Sequence, residues 1–322
     1  MTSLAENAVK PPTADAIRPA APDAILARRR PVAIAIMFLA ELAWALLVAT
    51  PFHAWARRAW GGLPDGDAAL FAPGGRDLLM WLGHHEVALT VAARTSIVLL
   101  AVGAVLMQLP FGAMVASLAF ARDEDRGPSS LRTTTAWRLG LGAFLPLAAL
   151  LALAATLAGV LLGLGGAAAS SLDGLLTNSI GDARAFFVQV AIVGLFAGAA
   201  ALAGVFVDLA RAAVVRQAGL AAANGTTEPG WTMTARALRA AFVTARGGLG
   251  RATLAWASRA VAGLALLAIG YAASDALGGR GGLPLVGLFV IHQGVVAGRV
   301  ALRASWMARA LRLVAAAQGA RS

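Results

Sequence analysis

Six apolar segments, each about as long as a lipid bilayer is thick, constrain this chain more than any other feature. They fall at 32–52, 87–109, 139–166, 185–209, 252–273 and 283–301. A helix needs roughly 20 residues to cross a hydrocarbon core of about 30 Å. Lipid offers the backbone no hydrogen bonds, so each run must satisfy its own N–H and C=O groups and is expected to be helical. The expected fold class is all-α, a polytopic bundle of about six transmembrane helices.

The basic residues support that count and orient it. Twenty of them lie on the side of the termini: Lys10, Arg18 and Arg28 to Arg30; Arg122, Arg126, Arg132 and Arg138; Arg211, Arg216, Arg236, Arg239, Arg246 and Arg251; and Arg299, Arg303, Arg309, Arg312 and Arg321. The opposite loops carry five, Arg57, Arg58, Arg76, Arg184 and Arg280. Arginine and lysine collect in cytoplasmic loops, so both termini are expected in the cytoplasm. Trp55, Trp60 and Trp81 gather at the outer boundary and Trp137, Trp231, Trp256 and Trp306 near the inner one, where amphipathic rings prefer to sit. Residues 1–30, with four prolines and scattered charge, read as a disordered cytoplasmic tail. The transmembrane domain is expected over 31–312 and a short cytoplasmic tail over 313–322. Ala54-Trp55-Ala56 resembles a signal-peptide cleavage site, but the preceding segment is long for one and carries Glu41, so it reads as a retained span. The second segment runs on past Pro110, where the ring disrupts a helix. The stretch 111–121 is therefore expected at or below the inner interface.

Composition agrees with a lipid environment. Charged residues make up 13% of the chain, against about 25% in soluble domains. The net charge of +11 would suit nucleic acid on a soluble face, but these arginines flank apolar segments, which excludes that partner class. Cysteine is absent, so there is no disulfide, thiolate metal site or cysteine nucleophile. Arginine far outnumbers lysine, and alanine, glycine and proline are abundant. Such usage follows GC-rich codons and points to the inner membrane of a GC-rich bacterium.

Two inner loops resemble each other. The first carries Pro128, Thr133, Ala136 and Arg138, and the second repeats them 101 residues later as Pro229, Thr234, Ala237 and Arg239. Each follows a span running inward and precedes one running back, the layout of a parallel repeat. In the second loop Arg236, Arg239 and Arg246 alternate with Ala237, Leu238, Phe242 and Val243. That pattern is an amphipathic helix with a basic face, suited to anionic headgroups on the cytoplasmic side. The simpler reading is that these arginines anchor the following span.

The stretches LPFGAMVASLAFAR (109–122) and PSSLRTTTAWR (128–138), with VFVDLARAAVVRQ (205–217) before the basic helix, resemble bacterial multi-helix membrane families of unassigned function. The layout is similar to the membrane domain that accompanies some bacterial glycerophosphodiester phosphodiesterases. The resemblance covers about residues 85–275. It implies a six-helix bundle and assigns no functional residue, and no phosphodiesterase domain is present.

Ionisable side chains inside a span cost a few kcal/mol each and are functional candidates by default. Glu41 lies roughly 12 Å and Arg259 roughly 10 Å from the inner side, by the 1.5 Å rise per residue. Matched depths make these two an expected ion pair. Arg94, near the outer side of the second span, can snorkel to headgroups. His292, in mid-span, reads first as a hydrogen-bonding contact to a neighbouring helix. Asp208 and Arg211, one turn apart, are expected to pair locally. Gly159/Gly163, Gly194/Gly198 and Gly294/Gly298 permit close helix approach.

Other constellations carry less. His84, His85 and Glu86, with His53, Asp65 and Asp67, offer metal-ligand types, yet adjacent histidines diverge and the spacing matches no zinc motif. Ser170, Ser171 and Asp173 have no histidine partner for acyl transfer. Gly163, Gly165 and Gly166 end a membrane helix rather than follow a strand, unlike a phosphate loop. No cofactor or metal is expected. The functional expectation is a non-enzymatic membrane protein acting by assembly, with a membrane-protein partner or a second copy. The alternative is a small-molecule permease with a polar path through helices 1, 5 and 6, lined by Glu41, Arg259 and His292.

Overall fold

The structure, a computed structural model, describes residues 17–20, 24–60, 83, 86–122, 131–226, 228–277 and 282–319. Its helices are α1 (Pro31–Trp60), α2 (Glu86–Leu106), α3 (Gln108–Ala119), α4 (Thr133–Gly142), α5 (Phe144–Ile180), α6 (Asp182–Ala223), α7 (Gly230–Leu277) and α8 (Leu283–Gly319). Six helical stretches are long and apolar enough to cross a membrane: α1, α2 with α3, α5, α6, α7 and α8. The protein is an all-α polytopic bundle. Its strands are β1 (Ile17–Pro19) and β2 (Phe120–Arg122), antiparallel with Ile17 opposite Arg122 and Pro19 opposite Phe120.

Several helices are far longer than a bilayer requires. The 42 residues of α6 extend roughly 63 Å at 1.5 Å per residue, about twice the hydrocarbon thickness. The excess explains where the core sits. Lipid tails are as apolar as leucine, so no hydrophobic force drives spans together. Only 6% of the apolar stretch of α1 and of α7 is buried, and 11% of those of α5, α6 and α8. Where helices leave the lipid their apolar side chains must be covered, and there the packing is dense. At this end, called basal below, α3 meets α6 and α8, and α6 meets α8. Phe111, Met114, Val115 and Leu118 of α3, Leu209, Val214 and Val215 of α6, and Met307, Leu311 and Val314 of α8 are all 1% exposed or less. These three helices, the even-numbered spans of the chain, form a hub around which the other helices stand.

The two similar loops fold alike. In each, a basal helix leads into a span through a break. Thr133–Gly142 is followed by Ala143 (φ −90°, ψ −6°) before α5, and α7 is interrupted at Gly248, a residue outside helical φ/ψ. The matched alanines, Ala136 and Ala237, are both buried.

The stretch 111–121, expected at or below the inner interface, is almost wholly buried because α6 and α8 converge on it. Three expectations differ from the structure. The tail read over 1–30 includes β1, whose pairing with β2 is extended by an Ala20 N–H to Ala119 O bond of 2.9 Å, and Ile25, which is buried. At the other end α8 continues past 312 to Gly319, with Val314 buried. The paired glycines are not the ones used for close approach. Around Gly159, Gly163, Gly194, Gly198 and Gly294 a Cβ would meet nothing within 4 Å, and only Gly298 of that set approaches a neighbour, Leu266. Close approach occurs instead at Gly103 under Trp44, at Gly112 and Gly140 between α3 and α4, and at Gly219 under Phe120.

Candidate functional site

Polar side chains from several helices converge where the hub meets the spans. Asp208 on α6 organises them. Arg211, one turn on, donates from Nη1 to Asp208 Oδ1 at 2.9 Å, the local pair expected from spacing. Trp306 on α8 donates its indole N–H to the other carboxylate oxygen at 2.9 Å. One carboxylate thus joins two helices, using both oxygens.

Arg303, a turn before Trp306, lies with its guanidinium 4.7 Å from the centroid of the buried Phe111 ring, and Arg211 lies 5.9 Å from the same centroid. Both fall within the range of cation–π attraction, worth about 0.5–1 kcal/mol at an exposed cation such as Arg303 and more at a buried one such as Arg211. Arg259 on α7 donates from Nε to Ser305 Oγ at 3.1 Å and from Nη1 to Ala255 O at 2.6 Å, tying α7 to α8. A cavity of about 460 Å³ opens among these groups. Its polar lining is Asp208, Arg211, Arg259, Arg299 and Arg303. Its apolar lining includes Trp256, Leu264, Leu267 and Leu302.

Glu41, half-buried on α1, lies in the field of Arg303 and then Arg299. Depth matching paired it with Arg259, and this is corrected: Arg259 is engaged by Ser305, and the charges acting on Glu41 come from α8. Depth along a span says nothing about which way round the helix a side chain faces. His292 is not part of this cluster. Its Nε2 lies 3.0 Å from Ser274 Oγ and 3.3 Å from Gly270 O, a contact between α8 and α7. Gly270 is eleven residues beyond Arg259, roughly 16 Å along the helix, so Glu41, Arg259 and His292 do not form one continuous polar group.

Arg94 is exposed on α2. Arg236, Arg239 and Arg246 are exposed on the basal half of α7, with Arg236 paired to Glu228 at 2.9 Å. The opposite face, Met233, Ala237, Ala241 and Thr244, is buried in the bundle. Trp231 and Phe242 stand outward with the arginines, the mixture of rings and cations found at a headgroup layer. His84, His85, Asp65 and Asp67 lie outside the described residues.

Arg299 and Arg303, expected only as basic residues of the inner side, line this site. The available signal was that nothing breaks a helix between Pro284 and Gly319, so these arginines had to project from a continuous helix. No known protein family, curated protein or solved structure matches this chain.

Proposed function

We propose that this chain is a non-enzymatic inner-membrane protein of a bacterium that acts by assembly with a second copy of itself, its basal end facing the cytoplasm. The arginine asymmetry supports the orientation. One observation carries the assembly reading. Ala152, Thr156, Gly159, Gly163, Gly166, Ser170 and Gly174 recur every three or four residues along α5, and all are exposed. A Cβ at Gly159, Gly163, Gly166 or Gly174 would meet nothing of the same chain. A lipid-facing stripe of small residues packs poorly against acyl chains but admits another helix closely.

Light scattering in a mild detergent tests this. Wild type is expected as a dimer and Gly163→Leu/Gly166→Leu as a monomer of equal or higher Tm, since the new side chains clash with nothing in the protomer and glycine costs a helix about 1 kcal/mol. A wild-type monomer, or an unchanged dimer in the variant, refutes the reading.

A permease is the second reading, favoured by the half-buried Glu41 facing the arginines of α8. It requires water at the polar groups of the span. The cysteine-free chain allows single cysteines at 41, 259 and 292 to be probed with a water-soluble maleimide in intact cells. Labelling at two or more of them is the expected result for a permease, and protection at all three eliminates it.

A further inference from the structure

The cavity among α6, α7 and α8 holds more positive charge than the protein neutralises. Arg211, Arg259, Arg299 and Arg303 line it, and only Asp208 and the nearby Glu41 oppose them. Two guanidinium charges are therefore in excess. Asp208 is already shared by Arg211 and Trp306. Among the described residues neither Arg299 nor Arg303 has a hydrogen-bond or ion-pair partner, and Arg211 Nε is buried without one. Arg299 and Arg303 are exposed at its mouth and Arg211 is buried behind them, so an anion entering the cavity would find guanidinium groups open to it.

The cavity walls indicate what carries that anion. Leu264 and Leu267, on its apolar side, are 64% and 44% exposed, so it opens toward the lipid-facing surface of α7. One apolar groove, of about 530 Å³, adjoins it, sharing Trp256 and continuing along Gly194, Leu195, Gly198 and Leu202 of α6. A cluster of arginines beside such a slot, with the exposed Leu264 and Leu267 next to it, matches a phosphate bearing acyl chains. Arginine forks fit phosphate oxygens bidentately, and basic pockets between spans on the cytoplasmic side are suited to anionic headgroups.

We propose that the cavity among α6, α7 and α8 binds the phosphate headgroup of an anionic diacyl lipid, its chains running along the adjoining α6 groove and the exposed Leu264 and Leu267. This site is distinct from the basic outer face of α7, whose arginines meet the headgroup layer from outside the bundle. It goes beyond the assembly reading and does not depend on it, because the cavity lies within one protomer and away from the α5 stripe.

The test is the Tm of the delipidated protein in a neutral detergent, with phosphatidylglycerol, phosphatidylcholine, glycerol 3-phosphate or inorganic phosphate added. Phosphatidylglycerol is expected to raise Tm by on the order of 5 °C at saturating lipid, and the other three by much less. Arg299→Gln/Arg303→Gln removes the shift, whereas Arg236→Gln/Arg239→Gln/Arg246→Gln retains it. Because Arg303 packs on Phe111, a second variant guards against misfolding. Gly263 lines the cavity and a Cβ there meets nothing within 4 Å, so Gly263→Phe fills the space, folds normally and loses the lipid shift. An equal shift with phosphatidylcholine, or a shift surviving in Gly263→Phe, overturns the proposal. A full shift from glycerol 3-phosphate or inorganic phosphate also overturns it, in favour of a soluble anion. The oligomeric state measured for the α5 variant is unaffected by any of these outcomes.

Discussion

Asp208 shows how much one side chain determines here. A carboxylate at the edge of a membrane is tolerable only when its oxygens are engaged, and both are, by Arg211 and by Trp306. Replacing Trp306 with phenylalanine keeps an aromatic ring but removes one charge-assisted hydrogen bond and part of a buried ring's volume. The expected loss is about 1.5–3 kcal/mol, read as a lower unfolding midpoint in mild detergent. Trp231→Phe, at an exposed ring, is the control and should stay within about 0.5 kcal/mol of wild type. At this scale sequence reading was partly successful. Spacing alone identified the Asp208–Arg211 pair, because i and i+3 fix both height and direction on one helix. It misassigned the partner of Glu41, because residues on different helices share no such phase. His292 makes the expected hydrogen-bonding contact with a neighbouring helix, and Arg94 stands on an exposed face of α2.

Among the elements, α3 and α4 meet most intimately, and glycine is the reason. A Cβ on Gly140 would lie 2.7 Å from the backbone N of Ala113 and 3.0 Å from Leu109 O. Neither is a flexible side-chain tip that can swing aside, so Gly140→Ala forces the helices apart. Overpacking of this kind costs about 1–3 kcal/mol and should lower Tm, with lost protection of α3 amides in hydrogen exchange. Gly142→Ala, two residues on in open space, should be neutral or slightly stabilising because alanine favours the helix. The spans themselves were legible, since length and hydropathy follow directly from bilayer thickness. Their packing was not. A chain that is apolar all round gives no phase to separate protein-facing from lipid-facing positions. Hence, of the glycines with the expected spacing, only Gly298 makes a close contact, and isolated glycines such as Gly103, Gly140 and Gly219 make others. The strand Ile17–Pro19 was equally invisible, being three residues long, proline-ended and paired more than a hundred residues away.

For the molecule as a whole, the dense part lies at one end, while toward the distal end the helices touch mainly in pairs, α1 with α2, α5 with α6 and α7 with α8, and few side chains are buried. The sequence carried this division only indirectly, in helices continuing past the length a bilayer needs. The hub has a further consequence, for the order in which the protein is made. Its three members come from the second, fourth and sixth spans, so it cannot close until the last helix has left the ribosome. While α8 is still being synthesised, the carboxylate of Asp208 lacks its indole partner and Phe111 lacks the cation of Arg303. The contacts of α3 with α4 and α6 need no sixth span, so what waits for α8 is the closure of the hub around Phe111 and Asp208.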